Sequence, residues 1–176
     1  MFKLVDSHTH VNFRQFDQDR PEVIKRSFDK GIGMINVGTD LEMSQSALEL
    51  AKQYKGEMWA TIGIHPNDVS RTDYPGGEFT TLAQETAIVG IGETGLDFYR
   101  TKEKEKQARQ YGFFERHIEL ANQVGKPITI HVRAAYKEAI VFLKQQQVAK
   151  GGVMHCFGGS VEEARAFLDL GFYISF

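Results

Sequence analysis

Pro127-Ile128-Thr129-Ile130-His131 is an apolar, β-branched run closed by a histidine, with the composition of a strand buried on both faces. The same arrangement recurs along the chain. Trp59-Ala60-Thr61-Ile62-Gly63-Ile64 ends at His65, Gly152-Val153-Met154 ends at His155, and Ala87-Ile88-Val89-Gly90-Ile91-Gly92 ends at the carboxylate of Glu93. The first run carries a His-x-His pair, Val5-Asp6-Ser7-His8-Thr9-His10. Five of the six histidines thus stand at strand ends. In a barrel of parallel strands all C-terminal ends meet on one rim, where catalytic groups sit. The pattern therefore reads as a metal site assembled from five strands.

Helical segments alternate with these runs. A helix is expected near 20–30, with Asp19-Arg20-Pro21-Glu22 as its capping box and Gly31 as its stop. Strand-like Gly33–Val37 leads to a helix near 41–54, begun by Thr39 or Asp40, and the run near 58–64 leads through a turn-rich loop to a short helix near 78–84. The run 87–92 precedes a charged loop and a long helix near 103–123, ended by Gly125 with Pro127 beyond. Strand 127–131 precedes a helix near 134–147, strand 152–155 precedes one near 161–170, and Gly171–Phe176 begins a seventh strand. Such alternation implies an α/β fold with parallel strands. The need to bring ligands from separate strands together favours a TIM-type (β/α) barrel over an open sheet. A complete barrel takes about 250 residues, so this one is expected to be incomplete, lacking the eighth strand and closing helix, with its first and seventh strands as open edges.

The 176 residues, 41% hydrophobic and 25% charged, suit one domain over 1–176. No apolar run is long enough for a membrane span and the start shows no signal-peptide pattern, which reads as a cytoplasmic protein without a membrane partner. The lone Cys156 excludes an internal disulfide and a multi-cysteine zinc site. A formal net charge of −2 advertises no broad nucleic-acid surface, so a polyanionic substrate would be held locally, by metals and a few cations.

Residues i and i+2 of a strand project to one side, which lets His8 and His10 share an ion. Imidazole suits this because it is largely deprotonated at neutral pH. Glu93 follows a buried run, where an unpaired charge would be costly; bridging two cations would remove that cost.

Asp6-Ser7-His8-Thr9-His10, Gly63-Ile64-His65-Pro66, Gly90-Ile91-Gly92-Glu93-Thr94-Gly95-Leu96-Asp97, Pro127-Ile128-Thr129-Ile130-His131-Val132-Arg133 and His155-Cys156-Phe157-Gly158-Gly159 together resemble the successive signatures of the TatD family of metal-dependent deoxyribonucleases. Order and spacing match over essentially the whole chain, and the Gly-Glu-Thr-Gly-Leu-Asp stretch is far more specific than the His-x-His pair. The resemblance implies an amidohydrolase-like barrel with two divalent metal ions. It implies that His8 and His10 hold the first, Glu93 bridges, and His131 and His155 hold the second, while His65 lines the substrate pocket and touches a phosphate. The implied substrate is DNA, single-stranded or at its ends, cut in the manner of an exonuclease. Two cations about 4 Å apart lower the pKa of a bridging water and clamp the oxygens of an in-line displacement. Histidine and carboxylate ligands accept Mg, Mn or Zn.

The family pattern continues to an eighth strand with a Glu-Thr-Asp-Ala-Pro type motif, whose aspartate completes the first metal site. This sequence stops at Phe176, before it, which suggests a C-terminal truncation and puts barrel closure and turnover in question. Asp97 or His65 could substitute in part for that aspartate.

Secondary candidates each carry a plain alternative. Arg133, two residues after His131, either grips a phosphate with its fork or forms a rim salt bridge. Cys156 is expected to point into the barrel wall. Ser160 with Glu163 forms a capping box whose free N–H groups could also meet a phosphate. His117 lies mid-helix among apolar neighbours and reads as packing. The run Arg100-Thr101-Lys102-Glu103-Lys104-Glu105-Lys106 is a solvated helix start, or a lid whose lysines meet the DNA backbone. Two other functions use the same residues: a metal-dependent amidohydrolase on a small cyclic amide, usually marked by a carbamylated lysine where this chain has Glu93, and an inactive metal- or nucleic-acid-binding remnant. Oligomeric state is left open.

Overall fold

A computed structural model describes residues 2–176. Seven strands form one parallel sheet in sequential order: β1 Leu4–Thr9, β2 Ile32–Val37, β3 Met58–Ile62, β4 Ile88–Asp97, β5 Ile128–Arg133, β6 Gly152–His155 and β7 Phe172–Ile174. The helices are α1 Arg20–Asp29, α2 Leu41–Gln53, α3 Gly76–Leu82, α4 Lys104–Val124, α5 Tyr136–Gln145 and α6 Val161–Asp169. Among the described residues β1 and β7 are the edges of the sheet.

Barrel curvature is decided by two rings. The imidazole of His8, on β1, lies parallel to that of His155, on β6, with centroids 3.3 Å apart. In a flat sheet β1 and β6 would be separated by five strand spacings, roughly 24 Å. The sheet therefore curls until its first and sixth strands meet at their C-terminal ends, the incomplete TIM-type barrel expected from the need to bring strand-end ligands together.

The helices cover the convex face. Ile24 from α1, Leu48 from α2 and Phe79 from α3 pack with Met58, Ile62 and Ile88. A second cluster joins Phe114 and Ile118 of α4, Leu143 of α5 and Phe167 of α6 to Ile130, Met154 and Phe172. Helix α4 serves both, because Phe113 faces the first cluster and Phe114 the second. On the concave side Ser7, Ile35, Thr61, Val89, Thr129 and Tyr173 line a cleft of about 260 Å³.

Three expectations change. The box at Asp19 does not form: its side chain makes no cap bond and its ψ is 16° rather than extended. Pro21, at the second helical position, has no N–H to offer it, and Arg20 instead ties the turn by donating to the carbonyls of Val11, Asn12 and Phe13. The box at Ser160 and Glu163 does form, with both reciprocal bonds. Cys156 is exposed rather than set in the wall. Strand β6 ends one residue earlier, and Cys156 turns the chain at φ 48°, so strand alternation no longer aims its side chain.

The third change concerns β4, which does not stop at Gly92 but runs on to Asp97. Gly92 and Gly95 carry φ of 131° and 135°, and a Cβ at either would run into the carbonyl oxygens of Thr129 and His131 on β5. Glycine is required there for backbone-on-backbone approach. The register between β4 and β5 shifts across this stretch, between Ile91 and Thr94. Glu93 thus sits inside a strand at an irregularity, and Asp97 occupies the strand end.

Candidate metal centre

The C-terminal rim gathers side chains from β1 and β4–β6 and from the segment after β3. Glu93 is buried, with 4% of its surface exposed, and its two oxygens are addressed from opposite sides. Oε2 lies 3.3 Å from His8 Nε2 and Oε1 lies 3.2 Å from His131 Nδ1. Burial opposes its charge, but the hydrogen bonds from His131 and His8 outweigh it and hold the carboxyl well below the usual range.

His10 reaches the same place. Its Nε2 is 3.1 Å from His8 Nε2, while its Nδ1 is 3.0 Å from the carbonyl oxygen of Val37. A carbonyl only accepts, so Nδ1 carries the proton and the Nε2 lone pair points at the cluster, the orientation metal-binding histidines adopt. Burial, with His8 alongside, lowers its pKa.

His65 behaves differently, although it stands with Glu93 and His131 within ligand-sharing distance. Its Nδ1 accepts the N–H of Asn67 at 3.1 Å. Burial pushes its pKa down to about 4, so the ring is neutral at pH 7 and its single proton is on Nε2. His65 therefore presents a donor to the site rather than a lone pair.

Asp97 organises the far side. Its Oδ2 accepts from Asn67 Nδ2 at 3.1 Å and lies 3.3 Å from His131 Nε2, and its Oδ1 accepts the N–H of Arg100 at 2.8 Å. Burial works against its charge, and the Arg100, Asn67 and His131 contacts more than offset it, so its pKa is lowered. Gln110 of α4 accepts the N–H of Asp97 and donates to the Pro66 carbonyl and Thr101 Oγ1. Asn67 and Gln110 were not singled out in the sequence. An amide residue next to His65-Pro66 was the available signal for Asn67; Gln110, mid-helix, gave none.

Two three-residue groups lie within ligand-sharing distance, His8–His10–Glu93 and His65–Glu93–His131, and they share Glu93; in the second, His65 turns its donor inward and leaves Glu93 and His131 as the ligands. His155 belongs to neither. It stands beside His131 in register and stacks on His8, and burial drives its pKa down to about 4. The Nδ1 atoms of His8 and His155 are buried without a protein partner. Imidazole nitrogens that converge on one buried carboxylate, two of them without a protein partner, fit a divalent metal centre.

Of the secondary candidates, Arg133 forms no salt bridge among the described residues and lies over the ring of Tyr99. Lys106 pairs with Glu103 at 2.7 Å on the exposed start of α4. His117 is fully buried, as its apolar neighbours imply, but its ring is also hydrogen-bonded, to the Ile64 N–H and the Phe113 carbonyl.

Residues 5–176 match the family described as TatD related DNase. The chain is a member of this TatD family. It is 38% identical over 97% of its length to the 3′-5′ ssDNA/RNA exonuclease TatD of Edwardsiella piscicida, covering 66% of that protein. It is 36% identical over 98% of its length to the uncharacterized metal-dependent hydrolase YabD of Bacillus subtilis, covering 68%. Among solved structures, a TatD homologue from Escherichia coli K12 superposes with a TM-score of 0.88 at 26% identity, over 97% of this chain and 66% of that one. The chain thus spans about two thirds of the length of these relatives. Among the described residues no helix is long and apolar enough to cross a membrane.

Proposed function

We propose that this TatD-family chain carries the centre of a phosphodiesterase acting on single-stranded DNA or DNA ends, with two divalent ions, Mg, Mn or Zn, as cofactors. The observation that carries the reading is Glu93. Its two carboxylate oxygens face His8 on one side and His131 on the other, so it can serve two cations at once. His8, His10 and Glu93 would hold one ion, and Glu93, His131 and His155 the other. Such ions supply an activated water and stabilise charge on the phosphoryl oxygens.

The remaining residues have work of their own. The Nε2–H of His65 donates to a nonbridging phosphate oxygen; a neutral donor of this kind can stay bound as charge builds there. Asp97 fixes the ring of His131 from outside and thereby the direction of its inner nitrogen. The named activity of the Edwardsiella relative, 3′-5′ exonuclease on ssDNA and RNA, supports this substrate class. The group between His8 and His131 is the carboxylate of Glu93, where an amidohydrolase of the carbamylated-lysine kind would carry its lysine.

The test is hydrolysis of end-labelled single-stranded DNA with and without Mg²⁺ or Mn²⁺, beside a His8→Ala/His10→Ala control. Metal-dependent shortening that vanishes in the control is expected. A folded, metal-loaded chain that leaves DNA intact but opens a cyclic amide would replace this reading with the amidohydrolase one.

A further inference from the structure

The rim beside Asp97 holds a cation stacked on an exposed aromatic, a feature unrelated to metal ligation. Asp97 pairs in register with Arg133, and the N–H of Phe98 donates to the Arg133 carbonyl at 2.9 Å. Residue 99 therefore leaves the sheet directly beside the Arg133 side chain. The Arg133 guanidinium carbon lies 3.9 Å from the centroid of the Tyr99 ring, and Tyr99 is 55% exposed. Stacking occupies one face of the guanidinium and leaves its in-plane N–H fork free. Among the described residues no protein acceptor takes that fork and no carboxylate neutralises it. An exposed arginine ordinarily spreads its rotamers through solvent; this one is held flat by a ring.

Asp97 ties the stack to the centre. Its Oδ1 accepts the N–H of Arg100, which fixes the turn carrying Tyr99, and its Oδ2 lies against His131. Lys102 adds positive charge, with Nζ 5.6 Å from the Tyr99 centroid. A planar, multidonor cation without a protein anion fits one ligand chemistry well, a phosphodiester gripped through two oxygens.

We propose that Tyr99 and Arg133 form a phosphate clamp for a nucleotide next to the scissile one, Arg133 making the contact and Tyr99 holding its guanidinium flat. The proposal rests on the phosphodiesterase reading and assigns Tyr99 as a positioning residue for substrate.

The test is binding of a fluorescein-labelled oligothymidylate to the metal-free chain in EDTA, followed by anisotropy across a salt series. Arg133→Gln is expected to weaken binding about tenfold, the loss of a charge-assisted hydrogen bond, and to reduce the slope of log K against log salt by about 0.7, one phosphate contact on a single strand. Tyr99→Phe keeps the ring and should bind like the parent. Tyr99→Leu should weaken binding severalfold with the slope retained, and Arg133→Lys should keep the slope while losing affinity. In metal-loaded hydrolysis Tyr99→Leu and Arg133→Gln should raise KM with kcat little changed. Unaltered slope, affinity and KM in both variants, with the parent cleaving DNA normally, would overturn the clamp and leave the phosphodiesterase reading intact. A parent that neither binds nor cleaves the oligonucleotide overturns both.

Discussion

The backbone N–H of Ile64 donates to Nε2 of His117 across 3.0 Å. The other ring nitrogen, Nδ1, is 2.6 Å from the Phe113 carbonyl oxygen and must carry the proton. His117 is therefore a neutral strut from α4 to the residue that precedes His65, and burial pushes its pKa down to about 4. Because the unfolded chain takes up the proton near pH 6.5 and the folded one resists it, this strut's contribution is full above pH 6.5 and is lost as pH falls toward 4. The shift corresponds to about 3 kcal/mol. Urea midpoints of the metal-free protein at pH 7.5 and pH 5 should fall less for His117→Gln than for the parent; parallel falls would refute the assignment.

Glu93→Gln removes the shared carboxylate from between His8 and His131. On the proposed function, losing a group that would serve both ions should cost more than losing an outer-shell partner, so metal affinity should drop by more than about 100-fold. Calorimetric titration with Mn²⁺ or Zn²⁺ measures this, and DNA hydrolysis should disappear in parallel.

Asp97→Asn should have a smaller effect, because Asp97 acts on His131 from outside. A loss of about 10–100-fold in metal affinity is expected, with the thermal midpoint of the metal-free chain changed far less than the affinity. An unaltered affinity would show that Asp97 does not set the ring of His131.

Two glycines should respond in opposite directions to alanine. Gly95→Ala places a side chain at φ 135° against the His131 carbonyl and should cost about 3 kcal/mol or more. Gly112 lies within α4 with nothing near the position of a Cβ, so Gly112→Ala should stabilise by about 1 kcal/mol. Chemical denaturation of both variants tests the pair.

Much of the fold was legible because its signals are local. Apolar runs of strand length, Asp40 accepting from the Met43 N–H at the start of α2, the Ser160–Glu163 box and Gly125 in left-handed conformation after α4 are each decided within a few residues. Errors fell where another part of the chain overrides local preference. Gly92 and Gly95 look like the end of a strand, yet β4 continues because β5 passes close against those very residues. The cap expected at Asp19 gave way to Arg20, whose partners lie seven to nine residues earlier.

The sequence by itself determined which chemistry-bearing residues this protein owns and that the five histidines of the rim stand near the C-terminal ends of strands, since hydrophobic run length and turn residues act over short range. Only the tertiary structure decided how those residues meet. Curling of the sheet brings β1 against β6, and packing of the rim makes His65 a donor, sets Asp97 behind His131 and lays Arg133 on Tyr99. These relations join residues about 34 or more positions apart or depend on which ring nitrogen is already engaged, and no local pattern along a chain encodes a hydrogen bond whose partner arrives from another strand.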